Sequence, residues 1–245
     1  MYLDKAKKIM KKVESDYDVV AKEWDLSRFV ARANQIIIAS RIKNGNRVLD
    51  VGCGNGVFYP VLVDKSINYV GLDVSKKLLS LAEKKARKIK SRAKVKFIKG
   101  SITKLPFVNN QFDWVCAFAV LHHVPSSELR AQAVQEIWRV LKPGGRVVVT
   151  VWNMFSDFAE KKFNTGEQLK NKSKGFDDCD VTIPWKGTVG KVVQRYLHAF
   201  TKNELSELFK STGFKKITTY YAIKETGMKS LNIKKGSDLV LLAQK

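Results

Sequence analysis

Cysteine is scarce in this sequence: Cys53, Cys116 and Cys179 are the only three in 245 residues, odd in number and scattered. That usage excludes a disulfide frame, offers no ligand spacing for a zinc site, and implies reduced thiols in a cytoplasmic setting. Long apolar runs are also absent. The stretches 35–39 and 146–152 fall far short of the roughly 20 residues that cross a bilayer. The N-terminus carries lysines but no apolar core followed by small residues, so no secretory signal is expected. No internal repeat and no low-complexity tract is present. Acids are outnumbered: 23 Asp and Glu face 45 Lys and Arg, a formal charge of +22. Such an excess suits a polyanionic partner, nucleic acid ahead of a membrane surface, although a lysine-rich chain also gains plain solubility.

What is present is organised around Val48-Leu49-Asp50-Val51-Gly52-Cys53-Gly54-Asn55-Gly56. The pattern predicts a buried strand running into a glycine-rich turn that opens a helix. Glycine there removes the Cβ that would hold a ligand away from the backbone, and it tolerates positive φ. In doubly wound α/β folds the ligand sits at such a turn, outside the carboxyl ends of the strands. The spacing differs from the dinucleotide fingerprint, which wants glycines at the first, third and sixth places; here they fall at the first, third and fifth.

The rest of the chain reads as alternating elements. Residues 3–14, about 17–24 and about 28–42 are expected as three helical pieces, with Asn44-Gly45 as a stop. They should fold as a lid over the ligand end of the sheet. Strands are expected at 69–73, at 95–98 as a lysine-dotted edge, at 111–118 and at 146–152, with a helix over 126–141. The helix opening at Ser75 is strongly basic: between Lys76 and Lys99 there are eleven Lys and Arg and one acid, Glu83. Leu78, Ala82, Ala86 and Ile89 line its opposite face. Strands alternating with helices argue for a parallel sheet with right-handed crossovers. Residues 153–194, polar and dotted with Gly166, Gly175, Gly187 and Gly190, read as an insertion of loops and one helix. Thr201-Lys202-Asn203-Glu204 is a capping box opening a last helix, and strands follow at 214–221 and 238–243.

The glycine stretch, Asp73 ending the second strand, Phe112-Asp113 and Leu141-Lys142-Pro143-Gly144-Gly145 resemble class I S-adenosylmethionine-dependent methyltransferases. The resemblance spans about residues 45–152. It implies an α/β fold of the Rossmann-like type: a mostly parallel seven-stranded sheet with an antiparallel last strand, and helices on both faces. Residues 1–44 would form the helical lid and 45–245 the methyltransferase domain, with the insertion at about 153–195. S-adenosylmethionine would meet Tyr17, Asp50, Gly52, Cys53, Gly54, Asp73, Val74, Ser101, Ile102 and Phe118. Asp73 would accept the ribose hydroxyls. Ser101 stands where many members carry an acid, so a hydroxyl or backbone acceptor would serve the adenine.

A second set of segments is similar to the tRNA wobble-uridine methyltransferases that esterify 5-carboxymethyluridine. These are Tyr17-Asp18-Val19-Val20-Ala21, Ser27-Arg28, Leu121-His122-His123, Trp152, Ile183-Pro184-Trp185 and Gln194-Arg195-Tyr196-Leu197-His198-Ala199-Phe200. The Trp-Pro that usually follows the N-terminal arginine in that family is missing. The resemblance implies tRNA as partner, and a small zinc-binding activator protein at the sheet edge near Val95, Phe97 and Ile98. A carboxylate acceptor is already anionic at pH 7 and needs no general base. Alignment and water exclusion are then the protein's work, with cations or NH donors near the methyl. Arg28, His122, His123, Arg195 and His198 are the candidates. Trp152, Trp185 and Tyr196 would meet the uridine, and Lys84, Lys85 and Lys88 the phosphates. Each has a plainer role open to it, as packing residue, surface ion pair or solvated face. A small-molecule methyltransferase and a non-catalytic RNA-binding protein of this fold are the competing readings.

Overall fold

The computed structural model describes residues 1–171, 175–186 and 192–245. Gly187 and Gly190 of the expected insertion lie outside them. An eight-stranded sheet runs through the molecule in the order β3-β2-β1-β4-β5-β10-β8-β9. Its strands are β1 (Arg47–Val51), β2 (Asn68–Asp73), β3 (Lys94–Lys99), β4 (Phe112–Phe118), β5 (Leu141–Trp152), β8 (Lys215–Ala222), β9 (Lys229–Ser230) and β10 (Asp238–Gln244). The first five pair in parallel. β10 runs antiparallel between β5 and β8. The sheet thus has one strand more than the seven expected: after Ile223 the chain turns at Gly227 (φ +67°) and lays the two-residue β9 on β8.

Both faces of the sheet are covered. Val115, Val147, Val149 and Leu241 point to the side closed by α4 (Ser127–Val140) and α7 (Lys202–Ser211), which contribute Val134, Ile137, Leu205 and Phe209. Val48, Trp114, Cys116 and Val148 point the other way, against Ile38 of α2 (Ala33–Ala39) and Ala86 of α3 (Lys76–Ala86). β3 is an edge strand, as its lysines suggest. Thr201 caps α7 through the Glu204 amide, as the capping box predicts.

Three local expectations are corrected. Residues 3–24 form not two pieces but one continuous helix, α1 (Leu3–Ser27); no glycine or proline interrupts it, and Lys12 pairs with buried Asp16 one turn on. The chain from Arg28 to Arg32 is not helical, because Asn55 takes the Arg28 carbonyl and α2 starts only at Ala33. The glycine turn leads into a short 3₁₀ segment, Tyr59–Leu62, rather than an α-helix; Pro60 lacks the amide that a continuing helix would use.

The insertion is also more ordered than its polarity suggests. It holds α5 (Asp157–Phe163), α6 (Thr165–Lys170) and the antiparallel hairpin of β6 (Asp180–Lys186) and β7 (Val192–His198). Val181, Ile183 and Leu197 pack with Met154 and Ala159 in a third small core. Where β5 ends, buried Asn153 donates to the carbonyls of Ile233 (2.6 Å) and Gly236 (2.7 Å) and accepts from Phe155 N. One side chain therefore holds the loop before β10. Asn153→Ala strips both carbonyls of their donor and should cost about 2–4 kcal/mol of unfolding free energy. Urea denaturation of the two proteins checks this.

Candidate active site

A cavity opens over the carboxyl ends of β1, β2, β4 and β5, where the strand order reverses between β1 and β4. Its floor is the glycine turn. Gly52 and Gly54 have φ of +66° and +56°. A Cβ on Gly52 would stand 2.2 Å from Val120 Cγ2, whereas at Gly54 the nearest heavy atom is Trp24 Nε1 at 4.0 Å. Gly52 thus serves packing and Gly54 leaves open space for a ligand. The Gly54 amide donates to Asp73 Oδ2 and the Ser75 amide to Asp73 Oδ1, both at 2.8 Å, which orients the carboxylate at the end of β2. Asp50 accepts from the Tyr69 hydroxyl at 2.6 Å. Burial raises both acids, Asp50 to about 7 and Asp73 to about 6. Cys53, Val74, Ser101, Ile102 and Phe118 complete this half of the lining. The Ser101 hydroxyl is already engaged with Thr103, at 2.9 Å from its Oγ1.

The other half is built by α1, the 28–34 segment and the end of β5. Met10, Val13, Tyr17 and Trp24 of α1 face the cavity with Arg28, Arg32 and Trp152. His123 also lines it: its Nδ1–H donates to the Tyr196 carbonyl (2.9 Å), which leaves Nε2 to accept from the Tyr17 hydroxyl (2.9 Å). Burial pushes His123 down to about 4, so the ring is neutral at pH 7. His122 sits behind it, fully buried, and takes the Trp152 amide at Nδ1. Burial, then the neighbouring His123 ring and the charge of Arg195, hold its pKa well below the usual imidazole range.

Arg195 reaches this region from β7, 4% exposed, 5.1 Å over the Trp152 ring and 5.9 Å from that of Trp24. Among the described residues no acid pairs with it. Arg195 Nε and Nη1, Trp152 Nε1 and His122 Nε2 are buried N–H groups without a partner among the described residues. Four such donors gathered about Trp152 suit an anion, since buried donors left unmet are costly. The other buried side-chain atoms without a partner among the described residues are two acceptors, Glu23 Oε2 and Asn34 Oδ1, the latter on a residue of the cavity lining. Arg28 adds a nearby cation, stacked 4.9 Å over Trp24. It forms no ion pair with Asp25 or Glu23; Asp25 is instead taken by Lys85 and Asn55.

Other expected residues are not brought to the cavity. His198 is buried between Asp180 (2.9 Å) and Glu204 (2.7 Å). Burial opposes its charge, but those two hydrogen bonds outweigh it and raise the pKa. With a carboxylate oxygen at each ring nitrogen, the ring ties β7 to β6 and α7. Tyr196 is buried with its hydroxyl on Asp180 (2.6 Å), so its carbonyl, not its ring, serves the site. Trp185 lies outside the lining, against Trp24. Lys85 is occupied by Asp25; Lys84 on α3 and Lys88 just past its end are exposed. Asn55, Trp24, Arg32 and Val120 were not singled out in the sequence. Asn55 alone carried a local signal, its place inside the glycine turn.

A turn that admits a ligand at Gly54, an oriented acid at the next strand's end and a switch-point cavity define a nucleoside-cofactor enzyme of the doubly wound class. The family model described as "Methyltransferase domain" matches residues 49–149. A protein of Encephalitozoon cuniculi named as a candidate methyltransferase is 32% identical over 168 residues, 69% of this chain and 70% of that one. The tRNA (carboxymethyluridine(34)-5-O)-methyltransferase of Schizosaccharomyces pombe is 27% identical over 223 residues, 82% of this chain and 87% of its own. The Arabidopsis thaliana protein of the same name is 30% identical over 142 residues; the match takes in 58% of this chain and only 33% of that longer one. Among solved structures, a Methanosarcina mazei S-adenosylmethionine-dependent methyltransferase superposes with a TM-score of 0.66 at 24% identity, covering 85% and 96% of the two chains. A Haloferax volcanii structure of the Trm112 methyltransferase activator with a candidate methyltransferase gives 0.61 at 16%, covering 95% and 96%. The chain belongs to the S-adenosylmethionine-dependent methyltransferases, with the class I fold and that cofactor.

The floor fits this cofactor: open space at Gly54, and on Asp73 lone pairs left for two hydroxyls. Gly54→Ala should lower unfolding free energy by only about 1 kcal/mol, the cost of a side chain at positive φ, yet weaken cofactor binding at least tenfold. Gly52→Ala, meeting Val120, should cost about 2–4 kcal/mol; calorimetry and denaturation separate the two. Acid should act through Asp73. Its carboxylate form is the one that accepts both hydroxyls, and with a free-protein pKa of about 6 the cofactor Kd should rise about tenfold from pH 7 to pH 5. Titration calorimetry across that range reads the slope.

Proposed function

We propose that this methyltransferase acts on tRNA, forming the methyl ester of 5-carboxymethyluridine at the wobble position. The carrying observation is the set of four buried, unpartnered N–H groups on Arg195, Trp152 and His122 beside the cavity. An arginine grips a carboxylate in two-point fashion through Nη2 with Nε or with Nη1, so such a ligand would satisfy one of the two Arg195 donors directly. The walls suit a splayed base: Trp24 and Trp152 are aromatic faces of the kind that single-stranded nucleotides stack on. The moderate likeness to the Schizosaccharomyces pombe enzyme over most of both chains supports the same acceptor.

When bound, S-adenosylmethionine supplies a methyl group made electrophilic by its sulfonium. Transfer to a carboxylate would form a C–O bond as the donor's C–S bond breaks, with no proton to move. No residue therefore has to act as a base. Arg195, with Arg28, holds the oxygen that does not react and keeps the other aimed at the methyl. Neutral His123, fixed through Tyr17 and the Tyr196 carbonyl, shapes the wall without competing as a cation. The 1–44 segment acts as a lid that excludes water, over a methyltransferase domain of residues 45–245, and its docking through Asp18 on Ser75 and Asp25 on Lys85 supports that role.

The reading extends to a partner and a place. A small zinc-binding activator would pair with the β3 edge, where Val95, Ile98, Pro106, Phe107 and Val108 line a shallow groove. Phe97 is not part of that surface, for it packs inward on Gly71 and Tyr69. Reduced thiols and a tRNA substrate fit the cytoplasm. No helix among the described residues is long and apolar enough to cross a membrane.

Bulk tRNA, freed of existing esters by mild base and offered with labelled methyl donor, should acquire base-labile label at the wobble uridine. Label that resists base, or that appears only on small molecules, sinks the proposal. Arg195→Lys keeps the charge but loses the fork. It should lower kcat/KM for tRNA about 100-fold while leaving the cofactor Kd within a factor of about three.

A further inference from the structure

The cavity has one rim whose outer surface neither the cofactor nor the carboxylate site uses. Where α1 ends, the chain passes along the mouth through Arg28, Val30, Arg32 and Asn34, all of which line it. On the outer side of this segment Phe29 is 74% exposed and Val30 66%. The segment continues into α2, where Ile36 and Ile37 are also exposed. Ile37 and Asn34 lie against the turn at Gly227, within about 3 Å of where its Cβ would be. The next residue, Met228, is 64% exposed, and Leu231 protrudes almost completely. An apolar strip thus runs from the mouth of the cavity to the 224–235 segment.

Its charge is one-sided. Residues 224–235 carry Lys224, Lys229, Lys234 and Lys235 against a single acid, Glu225. Asp238 beneath them is buried and answered by Arg32 at 3.2 Å, with Lys224 close enough to act on it too. Lys229 sits 4.9 Å over the Tyr220 ring, which holds its charge beside the strip. Exposed apolar side chains of this number are unusual on a free surface and mark a binding site. A protein partner would need acids to answer these lysines. Aromatic and apolar platforms interleaved with cations, beginning at a cavity that takes one base, match single-stranded nucleic acid.

We infer that the strip from Phe29 to Met228, flanked by Lys224 and Lys229, is the track for the single-stranded nucleotides adjoining the base held in the cavity. Phe29 is the stacking platform and the two lysines meet phosphates. The inference rests on the tRNA reading for the identity of the RNA. It departs from the sequence-based expectation of phosphate contact at Lys84, Lys85 and Lys88; of these Lys85 is committed to Asp25, while Lys84 and Lys88 are exposed.

The test is binding, without methyl transfer. A fluorescent single-stranded RNA heptamer with anticodon-loop composition is titrated against the full chain with S-adenosylhomocysteine present, at several salt concentrations. Phe29→Ala should weaken binding fivefold or more. The pair Lys224→Glu and Lys229→Glu should weaken it further and lower the salt slope by about 1.4, two single-strand phosphate contacts. The pair Lys84→Glu and Lys88→Glu should leave the Kd within about twofold. All these positions are exposed, and unchanged cofactor affinity certifies the fold. The proposal is overturned if the strip variants bind within twofold of the parent, or if the Lys84 and Lys88 pair has the larger effect. It is equally overturned if Phe29→Ala only dissolves a self-associated form seen by sedimentation while RNA affinity stays. Failure of the parent to methylate tRNA, with the strip effects intact, would remove the wobble-uridine reading and leave the RNA track standing.

Discussion

The hydrogen bond from the Gly54 amide to Asp73 is the constraint on which the site depends. It spans two neighbouring parallel strands at their carboxyl ends and fixes the height of the glycine turn over the sheet. Three further arrangements hang from it. Asp73 is oriented, because its other oxygen meets the Ser75 amide. Ser75 in turn caps α3 through Leu78 N and donates to Asp18 of α1 at 2.6 Å. The residue after Gly54, buried Asn55, then donates both to Asp25 and to the Arg28 carbonyl. Floor, acid and cover are therefore one hydrogen-bonded object rather than three parts that happen to meet.

The opposite wall is organised by compensation of a different kind. Asp180 satisfies Tyr196 and His198 together, and Glu204 takes the second nitrogen of His198. With those charges matched, β7 is held rigidly and presents two things inward: the Tyr196 carbonyl, which sets the tautomer of His123, and the Arg195 guanidinium. Two carboxylates are close in the fold, yet neither reaches Arg195. The network keeps them occupied, and Arg195, packed against Trp152 of the cavity wall, has no acid partner among the described residues.

The glycine turn, Asp73, the edge character of β3 and the capping box at Thr201 could be read from the sequence because each is written in a few adjacent residues. The parallel character of the sheet followed from the alternation of elements. The continuity of α1 was hidden because periodicity locates faces but not interruptions, and the acids at 14–18 that look like a break are partnered across space by Lys12, Ser75 and Lys99. His198 and Arg195 stood together in one motif with no means of telling them apart. Only tertiary placement shows that one is clamped and the other unmatched. The same holds for His122 and His123, adjacent in the chain but turned to different surroundings. The hairpin β6–β7 escaped because a polar composition describes its outward face, while Val181, Ile183 and Leu197 build a private core beneath.

Asp25 has a consequence for how such a sequence can change over time. It is shared by Lys85 of α3 and Asn55 of the glycine turn, and Asn55 also carries the Arg28 carbonyl. A neutral replacement at 25 would leave a half-buried lysine and a buried amide wanting at once, so single steps at 25, 55 or 85 are each penalised. Coupled positions of this kind depart from additivity. The three should drift as a set, and chains that have lost one should be found to have rebuilt the other two. The way α1 meets the cofactor turn would then be inherited as a unit, independently of what the cavity accepts.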